Sequence, residues 1–574
     1  VAFSLAAALP LAGPLYFFDA HDAPNTVFFL TEFDAALRDG VWYPGWATDQ
    51  ALGYGYPTFV LYPPLVYYVA EVCHLLGASQ VAAIKWTFAL ATVGAGLAMY
   101  LYARHVMGRR RGMLAAVVYV FVPYHLVDIY VRAALAEYSA FVWMPLCLLA
   151  FHRLVERFSL RRLGLAGLAY GALWLTHNNT GLLFTPLLAA YVLLCLFSQA
   201  IPWRSRLGRA AAALGGSLLG LGIAAALILP NLFEREFINQ EQWVRAGYNY
   251  ALHFLQPAHL LSPAWGYAPG TPGTAGGMSH QLGAVPLILA TVATLSALSR
   301  HARPARERVP ALFFAAATLA TLFFMTPLSA FLWNQLPIAA LVQFPWRLLA
   351  LTAVTLSILS GLAPARQRAD HSPDAPISAP KKPRTTMLHA PTLILALVAV
   401  LGSFAYTLPQ YTPTPESAGT PLLSIEFELE YEDMRGMTAW TKEMPETSPL
   451  VAQYLAGEPL VTAQALAPDA EVEMIRAGGA SDELWVRSEA GTALQFYTYY
   501  FPGWRVYIDG ARLPDSALRP EGKHGLLTVE VPPGEHPVLL RWGDTSMRLA
   551  GKALTLACLA LCLGLVLMPR RSRE

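Results

Sequence analysis

Charged side chains are scarce in this chain. They make up 14% of its 574 residues, while hydrophobic residues make up 55%; a soluble domain carries about a quarter charged. Such a chain has too little polar surface to cover itself in water, so lipid must be its solvent over much of its length. A string of roughly three or four soluble domains, which the length alone would suggest, is excluded. Cysteine is also scarce: Cys73, Cys147, Cys195, Cys558 and Cys562 all lie in apolar stretches without metal-ligand spacing, which argues against disulfides and zinc. Lysine is nearly absent, 6 against 34 arginines, a compositional bias rather than a function. A Walker loop, a GxSxG elbow, HExxH, CxxC and a dinucleotide fingerprint are all missing, so soluble nucleotide chemistry is not indicated. A formal charge of +2 gives no ground for a nucleic-acid partner.

What the chain has instead is apolar runs. They fall near 1–17, 81–103, 113–130, 138–155, 163–177, 180–198, 210–230, 283–299, 311–326, 348–363, 387–405 and 550–568, which predicts about 12 membrane spans. The first run has no charge before it and no initiating Met, and a few residues are expected to precede it. Asp19 and Asp22 follow it at once, so it reads as an uncleaved first helix. The connections at 104–112, 153–162, 199–209, 300–310 and 364–386, with the tail after 569, hold 23 of the 40 Lys and Arg against five acids. The loop at 18–80 holds seven acids and one base, Arg38, and 406–549 holds 21 acids and ten bases. Basic loops alternate with acidic ones, as the positive-inside rule requires. Both termini are predicted to be cytoplasmic, with 18–80, 231–282, 327–347 and 406–549 outside.

Within 18–80, Phe29, Phe33, Ala36 and Leu37 fall at helical spacing, which predicts an interfacial amphipathic helix over 26–38. Residues 58–76 predict a second juxtamembrane or re-entrant helix, with Gly53-Tyr54-Gly55-Tyr56-Pro57 as the turn between them. Residues 364–386, with five prolines and mixed charge, read as a disordered cytoplasmic linker. Residues 406–549 read as a separate β-sandwich-like domain, with strands over 483–488, 493–500, 505–509, 526–531 and 538–542. The fold class is therefore a mostly α polytopic membrane protein with an all-β domain near its end. Residues 1–405 form the transmembrane domain, and 550–574 a last helix with a basic tail.

Four constellations carry chemistry. Asp19-Ala20-His21-Asp22 sets two carboxylates and an imidazole at the outer end of the first helix. They are either a general base, a hold for a divalent cation such as Mg²⁺ or Mn²⁺, or plain helix-end dressing. Asp128, Arg132 and Glu137 are ionisable groups near membrane depth. The first two, at i and i+4, suit a salt bridge, and all three suit a cavity lining. Thr176-His177-Asn178-Asn179 is either a tight turn or a second wall of that cavity. In Gln343-Phe344-Pro345-Trp346-Arg347, a guanidinium beside an indole at headgroup level suits a lipid phosphate or ordinary snorkelling. The spans carry almost no mid-helix charge except Lys85, which favours chemistry at the outer interface over transport.

This ordering resembles the GT-C superfamily of integral membrane glycosyltransferases. More closely, the chain resembles the bacterial membrane proteins labelled 6-pyruvoyl-tetrahydropterin synthase-related, near the YfhO-like proteins. The stretches that carry the resemblance are His21-Asp22, Gly53-Tyr54-Gly55-Tyr56-Pro57 with Tyr62-Pro63-Pro64, Pro123-Tyr124-His125 through Glu137, Thr176-His177-Asn178, Phe344-Pro345-Trp346-Arg347, and, near the end, Tyr500-Phe501-Pro502-Gly503-Trp504 through Gly510 with Pro533-Gly534-Glu535-His536. The pterin label implies no activity, because pterin synthases are small soluble zinc enzymes built on a histidine cluster. The GT-C resemblance implies transfer of a sugar from a polyprenyl-phosphate carrier to a glycan, lipid or protein acceptor outside the cell. Asp22 or Asp19 would be the base and Arg347 with Trp346 the phosphate hold. His21, Asp128, Arg132, Glu137, His177 and Asn178 would line the cavity. Two other readings stand beside it: a non-catalytic scaffold whose β-domain binds a partner or glycan, and a transporter of a lipid-linked substrate.

Overall fold

The computed structural model describes residues 1–244, 246–299, 304–336, 339–364 and 390–568. Among them, six helices are long and apolar enough to cross a membrane: Gln80–Met107, Leu135–Glu156, Asn178–Phe197, Ala305–Phe324, Pro345–Leu362 and Ser546–Leu567. Two bent pairs bring the number to eight if each is one span. They are Arg109–Phe121 with Pro123–Tyr130, bent by 41°, and Trp203–Ile223 with Ala225–Phe233, bent by 75°. The first bend has a local cause, since Val122 is extended ahead of Pro123, as a residue before proline must be.

Of the 12 spans expected, the described residues thus show six clear ones, or eight with the bent pairs. Every predicted run does contain a helix, but Ala2–Ala12, Ala284–Leu298 and Ala390–Leu401 are short, and Leu160–Thr176 has 17 residues. At 1.5 Å per residue, helices of this length fall short of a hydrocarbon core about 30 Å thick. The first run stops early: Ala2–Ala8 tightens into a 3₁₀ turn at Pro10, and Gly13 is extended. The predicted linker at 364–386 lies, beyond Pro364, outside the described residues, as does the basic tail.

The two ends of the bundle differ in charge. At one end arginines donate to helix-terminal carbonyls, as Arg209 Nη1 does to Val155 and Glu156, both at 2.8 Å, while buried Arg111 pairs with Glu307 at 3.1 Å. The helix Leu135–Glu156 runs from there to the other end, roughly 30 Å away, where Glu137 lies in its first turn and a carboxylate is favoured by the helix dipole.

The helix predicted over 26–38 is present as Ala23–Arg38. Ten of its 16 residues are buried, Glu32 and Asp34 among them, because it is walled by the helices Leu65–Leu75 and Leu422–Glu430. Residues 58–76 form two helices, Thr58–Leu61 and Leu65–Leu75, parted at Pro63-Pro64.

The β-region is a two-sheet sandwich. One sheet has the order β1 (Ala463–Ala465), β4 (Thr492–Tyr499), β8 (Leu526–Val531), β7 (Arg519–Glu521). The other runs β2 (Glu471–Ala477), β3 (Ser481–Ser488), β9 (Gly534–Trp542), β5 (Trp504–Ile508), β6 (Ala511–Arg512). Every pairing is antiparallel. Alternate residues such as Leu484 and Val486, Leu494 and Phe496, and Val538 and Leu540 fill the space between the sheets, as period-two strands with one buried face require. The domain is not all-β over 406–549: the sheets begin at Ala463, and the preceding stretch carries the helices Leu422–Glu430 and Pro449–Ala456.

Nor is the sandwich separate from the first loop. Trp46, fully buried, packs into its core 5.3 Å from Trp504 and 5.1 Å from Trp542. Gly55, at φ +75°, brings the backbone so close that a Cβ there would lie 2.2 Å from Trp46 Nε1. Between them the chain turns through Ala51 and Leu52, both left-handed at φ 53° and 58°. Two buried carboxylates hold this costly turn. Glu32 accepts from the Thr48 and Asp49 N–H groups at 2.8 and 3.0 Å, and Glu428 from those of Ala51 and Leu52 at 2.9 and 2.6 Å. The Tyr454 hydroxyl donates to Asp49 at 2.5 Å.

Candidate functional site

At the acidic end of the bundle, five charged side chains meet where the chain bends sharply. After Pro123–Tyr130 the backbone turns through Ala133, a non-glycine residue at φ 51°, and enters Leu135–Glu156. The bend leaves the carbonyls of Val131 and Arg132 free to accept from the His21 and Asp22 N–H groups, at 3.2 and 2.7 Å. These two backbone bonds fasten the end of the first apolar run to the turn.

Arg132 is the hub. Its Nη1 donates to Asp128, to Glu137 Oε2 at 2.9 Å and to the Tyr124 hydroxyl at 3.3 Å. Its Nη2 lies 3.9 Å from Asp22 Oδ2, and its guanidinium covers the Trp346 ring at 4.9 Å. Glu137 also accepts from the Tyr124 hydroxyl at 2.6 Å and faces Arg347 Nε at 3.5 Å. Arg347 comes in from a second left-handed turn, at Gln343, φ 62°. Pro345 then starts a 3₁₀ turn that stacks Phe344 on Trp346 at 5.0 Å and lays the Arg347 guanidinium over Phe344. Three carboxylates thus face two guanidiniums. Asp128 and Glu137 are fully buried, and Asp22, its side chain 43% exposed, is the carboxylate that reaches solvent.

His177 ends Leu160–Thr176 and caps the next helix, its Nδ1 accepting from the Thr180 hydroxyl at 2.7 Å and from the Thr180 N–H. That fixes the ring proton on Nε2. The ring is buried within electrostatic reach of Glu137, Arg347 and Arg132. Asn178 accepts from the Asn179 N–H at 2.9 Å. His21 Nε2 donates to the Tyr267 carbonyl at 2.8 Å, and burial holds its pKa below the ordinary histidine value.

Of the residues singled out from sequence, Asp22, Asp128, Arg132, Glu137, Trp346 and Arg347 come together, with His21 and His177 beside them. Asp19 does not join: it is exposed, with Tyr431 in its field. The hold for a divalent cation read from Asp19, His21 and Asp22 stays an expectation. Among the described residues no three His, Cys, Asp or Glu side chains group so as to hold a metal.

Sequence reasoning missed Tyr124 and the histidines of the loop 231–282. His253 packs edge-on against Phe344 at 4.6 Å, and His280 against Trp346 at 5.7 Å. Their signal was present, since three of the chain's 14 histidines (His253, His259 and His280) fall in that one outer loop.

Comparison with known proteins bears on the chain as a whole. A family model described as the 6-pyruvoyl-tetrahydropterin synthase related domain, a membrane protein, matches residues 59–415. No curated protein sequence matches. Among solved structures the chain is similar to the arabinofuranosyltransferase AftD from Mycobacteria, at 16% identity and a TM-score of 0.41, over 71% of this chain and 26% of that one. It is also similar to the oligosaccharyltransferase AglB from Archaeoglobus fulgidus, at 15% identity and a TM-score of 0.39, over 74% of this chain and 55% of that one. The chain thus spans about a quarter of the one and about half of the other.

Proposed function

The chain belongs to the 6-pyruvoyl-tetrahydropterin synthase related family of membrane proteins, and from that premise we infer that it is a membrane glycosyltransferase acting on a sugar carried by a polyprenyl phosphate. The observation that carries this reading is Asp22: a half-exposed carboxylate held 3.9 Å from a buried guanidinium, at the end of an apolar helix bundle. The order of motifs along the chain, which resembles that of GT-C enzymes, supports it.

In this reading the acceptor hydroxyl gives its proton to the Asp22 carboxylate. Its oxygen bonds to the anomeric carbon as the bond from that carbon to the carrier phosphate breaks. The electron pair leaves on the phosphate oxygen, where Arg347 balances the charge. Arg132 orients Asp22, and Glu137 with Asp128 holds Arg132. The reaction takes place on the extracytoplasmic side, with a glycan, lipid or protein as acceptor.

The test is transfer from a panel of polyprenyl-phosphate sugars by the purified chain in lipid nanodiscs. Asp22→Asn is expected to lower the rate by about 10²–10⁴, the usual contribution of a general base, with an unchanged melting profile, while Asp19→Asn stays near wild type. Full activity in Asp22→Asn would remove the base assignment. Absence of transfer by the wild type across the panel would favour the non-catalytic scaffold.

A further inference from the structure

Three polar atoms at one edge of the charge cluster are buried without a hydrogen-bond partner among the described residues: His253 Nδ1, His280 Nε2 and Trp346 Nε1. Their residues are 4%, 5% and 5% exposed. Ring contacts join them, His280 to Trp346, Trp346 to Phe344 and Phe344 to His253, at 5.7, 5.0 and 4.6 Å. Leaving one buried polar atom unserved costs about 1–3 kcal/mol, and these three lie in a single aromatic cluster.

Their chemistry says which kind of group would serve them. Trp346 Nε1 can only donate. His253 Nε2 faces the Gly247 carbonyl at 2.6 Å; a carbonyl cannot donate, so the ring proton sits on Nε2 and Nδ1 is a bare acceptor. Burial lowers the pKa of His253. It pushes that of His280 down to about 3, with His259, His253, Arg132 and His21 adding to the effect. Both rings are neutral at pH 7. An ionised phosphate would serve the indole but brings no proton to His253 Nδ1, and an isoprenoid chain serves neither. A hydroxyl donates and accepts, and neighbouring hydroxyls on one ring do so in different directions.

We propose that His253, His280 and Trp346 form a hydroxyl-reading subsite for the sugar of the donor, with His253 Nδ1 accepting from one hydroxyl and Trp346 Nε1 donating to another. The assignment rests on the glycosyl-transfer reading above, and it gives the sugar a place beside Arg347, which holds the carrier phosphate. The loop 231–282 then selects the donor, through a site that rejects a sugar lacking the matching hydroxyl.

The experiment compares the affinity of the full-length protein in nanodiscs for decaprenyl phosphate with that for decaprenyl phosphates carrying pentoses or hexoses. Wild type is expected to hold at least one sugar-bearing carrier about tenfold more tightly than the bare one, the worth of about one well-made hydrogen bond. In His253→Phe, and separately in His280→Phe, the ratio should fall toward one. A wild-type ratio of one for every sugar, or a ratio unchanged in both variants, overturns the proposal. If neither bare nor sugar-bearing carrier binds at all, the transfer reading fails by itself. The subsite is then judged on free methyl glycosides by saturation-transfer NMR: a signal in wild type that is lost in His253→Phe supports it, and no signal in wild type overturns it.

Discussion

Arg132 Nη1 lies 2.9 Å from Glu137 Oε2, joining the turn that closes one bent helix pair to the first turn of the next helix. Both side chains are buried, at 5% and 2% exposure, and the pair is the centre on which Asp22, Asp128, Tyr124 and Arg347 converge.

Removing the guanidinium should therefore harm the fold as well as any chemistry. Arg132→Met leaves Asp128 and Glu137 buried without their principal counter-charge, at an expected cost of about 3–5 kcal/mol. Glu137→Gln leaves Arg132 with Asp128 and Asp22 and should cost less. Thermal unfolding in detergent is the check, and an Arg132→Met protein with an undiminished melting temperature would show that the cluster does not hold these helices together.

The clamp on the first loop should depend on pH. Burial pushes the Glu428 carboxyl from 4.5 up to about 7, against the Leu52 and Ala51 N–H bonds that pull it down. Glu32 is also pushed up, by burial first and then by Asp49. A carboxyl whose pKa is raised on folding binds its proton more tightly in the folded state. Its contribution to stability is full below about pH 4.5 and lost as the pH rises through about 7. The loop carrying Ala51 and Leu52 is thus expected to loosen across that window, by on the order of 3 kcal/mol for Glu428. Hydrogen exchange of residues 45–57 from pH 4.5 to 7.5 measures it. Glu428→Gln should flatten the dependence, and an unchanged slope in that variant would assign it to other groups.

The membrane orientation expected from the 23 bases against five acids in the basic segments can be tested directly. Single cysteines placed within 364–386 should react with an impermeant maleimide only from the cytoplasm. Glu473→Cys, on the exposed edge of β2, should react only from outside. Reaction of both from one side would overturn the orientation.

Much of this architecture was legible in the sequence because it rests on local signals. Every predicted apolar run contains a helix, and the strands read at 493–500 and 526–531 agree to within a residue with β4 and β8. Helix length was not legible. Pro10 and Gly13 end the first helix in a stretch whose hydropathy continues to Phe17, since hydropathy counts side chains and not backbone bonds. The burial of Ala23–Arg38 was equally hidden. Glu32 is buried within the field of Glu428, which lies some 400 residues later on the helix Leu422–Glu430, and Asp34 faces His74 of the helix Leu65–Leu75.

Composition and periodicity by themselves determined that this is a membrane protein of apolar helices with a β-rich region near its end, because lipid burial and strand alternation are written residue by residue. They also marked Asp22, Asp128, Arg132, Glu137, His177, Trp346 and Arg347 as ionisable or aromatic groups at helix ends. Only the tertiary structure decided that Asp22 and not Asp19 meets Arg132, that Trp46 of the first loop belongs to the core of the sandwich, and that His253 and His280 edge the same cluster. Those outcomes depend on two left-handed turns, at Ala133 and Gln343, and on contacts between segments hundreds of residues apart, which no local pattern encodes.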